Sequence, residues 1–152
     1  MGASVLLVGC IDTDPAVFVE AGIENAQATV AQETLATTIE GSFDVALHLG
    51  PRASGPADVG LGRVSVLSGD QASTLVDVLA VEPSPPFPVT VPVDGDVRVA
   101  VSFAAADNLL EADDYDALCA AGAAVVSAAL DDSLRGGTIS AVSVPFVLAG
   151  CP

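Results

Sequence analysis

Val89-Thr90-Val91-Pro92-Val93-Asp94-Gly95-Asp96-Val97-Arg98-Val99-Ala100-Val101-Ser102-Phe103 is the stretch whose reading decides the fold. Its residues are largely β-branched and alternate in polarity with a period of two, the repeat of a strand rather than of a helix. Asp94-Gly95 is the strongest hairpin signal in the chain, because both residues tolerate the positive φ that a tight turn requires. It predicts a hairpin joining Val89–Val93 to a return strand. On that return strand Val97, Val99, Val101 and Phe103 share one face, and Arg98, Ala100 and Ser102 share the other. One face is therefore buried and one is wet.

Upstream, five prolines fall at positions 83, 85, 86, 88 and 92. They predict a stiff polyproline crossover running into an edge strand, since proline donates nothing to a ladder. Before them, Leu75–Val81 reads as a strand that is apolar on both faces except at Asp77. Ser68-Gly69-Asp70 reads as a turn. Val59–Leu67 reads as another strand, in which Gly60 and Gly62 mark a bulge or a close backbone approach. A loop from Gly50 to Pro56 precedes it. Phe43, Val45, Leu47 and Leu49 alternate with Asp44, Ala46 and His48, which puts His48 on a solvent face. A weaker alternation begins at Gln27.

Downstream, a helix is predicted around Leu110–Ala121. Acids crowd its start, where they complement the helix dipole, and Gly122 is a natural stop. Two strands follow, near Ala124–Leu130 and Ile139–Leu148, separated by a turn from Asp131 to Gly137. In the last strand Val142, Val144, Phe146 and Leu148 share a face. Short strands at regular spacing, with Gly/Pro turns between them, predict a mainly β chain. It reads as a single β-sandwich of the immunoglobulin-like class, with one short helix near 110–121.

Composition narrows the function. The chain has 152 residues, with twenty acidic side chains against four arginines and no lysine, a formal net charge of −16. Such a charge repels phosphate backbones and excludes a nucleic-acid partner. Five Phe, one Tyr and no Trp make an aromatic-lined sugar site hard to build. One histidine rules out an HExxH zinc site, and no GxSxG elbow marks a nucleophile. These gaps predict a protein that is not an enzyme and needs no cofactor. The one metal candidate is a calcium site formed by Glu111, Asp113, Asp114 and Asp116. It lacks the EF-hand spacing, and the competing reading is acids solvating a helix start.

Leu7-Val8-Gly9-Cys10 resembles the lipobox of bacterial lipoproteins. The resemblance implies cleavage before Cys10, a diacylglycerol on its sulfur and anchoring in an envelope membrane. Ile11 stands where an aspartate signals inner-membrane retention in enteric bacteria, so the resemblance implies outer-membrane or secreted placement outside the cytoplasm. Residues 1–9 then read as a truncated lipoprotein signal, 10–26 as a tether and entry strand, and 27–152 as the sandwich. Lipid on Cys10 leaves Cys119 and Cys151 as a pair, predicting a disulfide; two buried free thiols are the alternative. Similarity to uncharacterised β-sandwich lipoproteins implies a structural or protein-interaction module with an unidentified protein partner. Two other readings stay open. One is a secreted subunit assembling through strand edges, into a homo-oligomer or with another chain, with residues 1–10 as a strand. The other is a calcium-dependent adhesion domain.

Overall fold

The computed structural model describes residues 14–105 and 110–152. Within them the chain forms β1 (Glu20–Gln32), β2 (Thr37–Leu49), β3 (Ala57–Ser68), β4 (Thr74–Val76) and β5 (Leu79–Ser84). It continues with β6 (Val89–Val91), β7 (Gly95–Ala105), α1 (Asp114–Ala120), β8 (Ala123–Asp132), β9 (Gly137–Val142) and β10 (Phe146–Val147). One antiparallel sheet has the order β1-β2-β7-β5. The other runs β10-β8-β3-β4, with β9 also on β8 and β6 also on β3. Lettered in chain order, with β4 as C′, β9 and β10 together as G, and β6 set aside, this is A-B-E-D against C′-C-F-G. That is the pairing order of immunoglobulin-like sandwiches. The strand pattern predicts the mainly β sandwich with one short helix, and the order of its strands comes from the structure.

Both inner faces are built from alternate residues. On β2, Ile39, Phe43, Val45, Leu47 and Leu49 are buried, and on β7, Val99, Val101 and Phe103. Phe43 and Phe103 face each other at a centroid distance of 5.9 Å, which fills the centre with rings where Val and Ala dominate elsewhere. Two single-residue bulges keep long strands on the core. The β1 register shifts between Glu24 and Gln27, and its buried positions pass from Ile23 to Ala28 and Val30. The β3 register shifts between Leu61 and Val64, next to the predicted glycines. Its buried set passes from Val59 to Val64 and Val66. One extra residue flips a strand's parity, so each bulge re-aims the far half inward.

Four expectations need correction. First, Asp94-Gly95 is not a hairpin turn. β6 pairs with β3 in one sheet, and β7 pairs with β2 and β5 in the other. Both edges of β7 are occupied, so β6 has no place beside it. Asp94, at φ 52°, instead turns the chain from sheet to sheet. Second, Leu75–Val81 is two strands in different sheets. Val76 and Leu79 are both buried, yet they are an odd number of residues apart. A straight strand would point them to opposite faces, whereas a crossing turns both to one core.

Third, Ile139–Leu148 is interrupted. Val142 opposes Ser127 and Phe146 opposes Ala124, which leaves one extra residue on the outer strand. Pro145 cannot donate there, and Val144 swings into solvent at 77% exposure. Fourth, the boundaries move. The helix begins at Asp114, so Glu111 and Asp113 precede it, while Gly122 (φ 73°) ends it as predicted. The sandwich begins well before residue 27, because β1 starts at Glu20 and both Val19 and Ile23 are core.

Candidate functional site

Asp14 to Val19 form no strand, yet Ala16 and Val19 are buried. This strap is fastened on two sides. The Gly50 N–H donates to the Ala16 carbonyl at 2.9 Å. A Cβ on Gly50 would lie 2.6 Å from that oxygen, so the approach requires glycine. On the other side stands Asp132, buried at the end of β8. Its carboxylate accepts the N–H of Val19 at 3.0 Å and of Leu134 at 2.9 Å. The Arg135 guanidinium lies 4.9 Å from the centre of the Phe18 ring, a cation–π contact.

His48 joins the strap to the first sheet. It opposes Asp96 on β7 and Glu20 on β1. Its Nδ1 lies 2.9 Å from Asp96 Oδ1, and its Nε2 lies 2.6 Å from Asp14 Oδ2. Carboxylates only accept, and a neutral imidazole carries a single N–H, so the imidazolium alone donates to both. The hydrogen bond to Asp14, then that to Asp96, raises the His48 pKa above its ordinary value, against a smaller opposing effect of burial. Asp14 is held below the usual carboxylate range, first by the Ala16 N–H and then by His48. The sequence reading of His48 as simply solvent-facing missed this. Asp14 lies far off in sequence, and the pairing of Asp96 depends on register; no local signal marks either.

A second fastening lies near residue 151. Cys119 on α1 and Cys151 form a disulfide with a Cα–Cα distance of 5.4 Å, as the cysteine count predicts. The Tyr115 hydroxyl donates to the Gly150 carbonyl at 2.7 Å. Ala149 bonds in parallel to β1 through Val30 N–H and Ala28 C=O. The tail thus ties the first sheet to the last strand of the second.

The four carboxylates of the calcium candidate do not converge. Asp114 Oδ2 accepts the Glu111 N–H at 2.6 Å, an intrachain turn contact. Asp113 makes no side-chain cap, and Glu111, Asp113 and Asp116 are exposed. Among the described residues, no group of three His, Cys, Asp or Glu side chains is placed to hold a metal. The physical reason is that the helix begins late, so the acids splay around a turn rather than line one face. Elsewhere the exposed charges pair locally. Arg98 binds Glu24 and, at 3.2 Å, Asp44, which raises its pKa, Glu24 contributing most. Asp70 accepts the Ser68 hydroxyl and the Ala72 N–H and is held below its ordinary value by them in that order.

Cys10 and the lipobox-like segment lie outside the described residues. No helix among the described residues is long and apolar enough to cross a membrane. The fold, the fastened strap at Asp14–Val19 and the fastened segment at Ala149–Cys151 define a disulfide-bonded, acidic β-sandwich. Comparison with protein-family models, with curated proteins and with solved structures finds no match to this chain.

Proposed function

We propose that this protein is a non-enzymatic, extracytoplasmic interaction module held at an envelope membrane by lipid on Cys10. The observation that carries the reading is the Cys119–Cys151 disulfide. Such cross-links form and persist in oxidising compartments outside the cytoplasm. It also accounts for two of the three cysteines and leaves Cys10, at the end of Leu7-Val8-Gly9-Cys10, for lipid. The strongly negative surface suits solvent exposure, and membrane attachment then comes from the lipid alone. The outer edge β9–β10 supports the interaction role. No charged residue occurs from Gly137 to Ala149, and Val144 and Val147 are 77% and 78% exposed. Open strand edges of this kind accept a partner strand. Mass spectrometry of the protein from its native membrane fraction tests the reading. A mature chain beginning at diacylglyceryl-Cys10 supports it. A chain that runs through Cys10 with an unmodified thiol overturns it.

A further inference from the structure

We propose that the Asp14–Val19 strap is a pH-gated latch, closed while a protonated His48 bridges Asp14 and Asp96. The argument rests on where the ring stands. Asp14 approaches from the strap and Asp96 from β7, both within hydrogen-bond distance of a different ring nitrogen. Glu20 is the cross-strand neighbour on β1, and Asp94 lies in the adjoining corner, where its N–H donates to the Gly50 carbonyl. Arg52 contributes a further positive charge near Asp14. Arg98 lies farther along the same face, engaged by Glu24 and Asp44.

Around the ring the charges are therefore mostly carboxylates. With its proton, His48 donates to two of them and offsets their mutual repulsion. Without it, one N–H faces two acceptors, and the remaining negative charges repel. Asp96 is 81% exposed and can turn to water. Asp14 cannot do so without releasing the Ala16 N–H that its other oxygen accepts. The neutral ring can still donate one N–H to Asp14, but without the positive charge that bond is weaker. The loss falls on the strap, whose Ala16 and Val19 cover the core. Because the His48 pKa is raised, the latch stays closed to higher pH than an ordinary imidazole would allow and opens as pH climbs through the raised value. The inference stands apart from lipid at Cys10, and the test needs no lipid.

The experiment is amide exchange by NMR on the full chain, from mildly acid to mildly alkaline pH, with rates corrected for intrinsic catalysis. The Gly50 N–H reports strap closure, because it donates to Ala16. Its protection is expected to fall by roughly tenfold or more as His48 titrates, the factor that accompanies loss of one hydrogen bond to a charged group. Amides in the middle of β7 are expected to hold their protection. In His48→Gln the Gly50 protection is expected to be low and flat across the same range. Asp14→Asn provides the same comparison with the imidazole intact. Constant protection at Gly50 in the native chain overturns the proposal, as does an undiminished fall in His48→Gln. Imidazole shifts give a check on the unaltered protein: His48 titrating with no accompanying change at Gly50 also overturns it.

Discussion

Val91 and Val97 stand six positions apart and lie in opposite sheets, Val91 paired with Ala57 and Val97 with Leu47. The corner between them is tight. A Cβ on Gly95 would fall 2.5 Å from Pro92 Cγ and 3.0 Å from its carbonyl oxygen. A proline ring cannot swing aside as a long side chain does. Gly95→Ala is therefore expected to lower stability by about 1–3 kcal/mol, the usual cost of overpacking. Urea unfolding of the two proteins measures it.

Ser143 replaces a missing stretch of ladder at the break between β9 and β10. Its Oγ accepts the buried Val126 N–H at 2.9 Å, and its own N–H donates to the Val126 carbonyl at 2.9 Å. Ser143→Ala leaves the first donor without its acceptor in a buried position, at an expected cost of about 1–3 kcal/mol. Thermal unfolding, with amide exchange at Val126 as the local readout, checks this.

The Cys119–Cys151 bridge spans a sequence separation of 32. On the chain-entropy account, a loop of that size contributes about 4 kcal/mol by restricting the unfolded chain. Replacing both cysteines with Ala is expected to lower the melting temperature markedly. The tail bonds at Ala149 and Gly150 are expected to exchange first. Intact mass before and after reduction confirms the bridge in the native protein.

Stability is expected to peak between the carboxylate and imidazole ranges. The folded-state pKa of His48 is raised, so its contribution is complete below the ordinary imidazole value of about 6.5 and is lost as pH climbs through the raised one. Asp14 and Asp70 are lowered. Their contributions are present above the ordinary carboxylate value of about 3.9 and are lost as pH falls through the depressed ones. Melting temperature against pH tests both limbs. His48→Gln is expected to flatten the alkaline limb attributable to the ring and to leave the Asp70 part of the acid limb in place.

Calcium is expected to leave the melting temperature unchanged at millimolar concentration, since Glu111, Asp113 and Asp116 are exposed and do not converge with Asp114 on one point. A clear upward shift would return the acidic turn to consideration as a binding site.

Much of the sandwich is legible from alternation alone. Phe43, Val45, Leu47 and Leu49 announce an inward face because a strand's period is two, whatever it pairs with. The same holds for Val99, Val101 and Phe103. Gly122 stops the helix because its backbone takes a positive φ, again a local property. The disulfide follows from counting cysteines once Cys10 is given another use. His48 as a bridge is not legible, since its two carboxylates come from positions 14 and 96.

The chain by itself determined the inward faces of β2 and β7, an irregularity in β3 at Gly60 and Gly62, and the stop of the helix at Gly122. Each of these is written in neighbours a few positions apart. Only the tertiary structure decided that Asp94-Gly95 is a corner between sheets rather than a hairpin. That outcome depends on β2 and β5 already flanking β7 and on β3 offering an edge to β6. Edge occupancy is a property of the assembled sheets. The Asp-Gly turn supplies the bend, and the free edges choose which sheet it leads to.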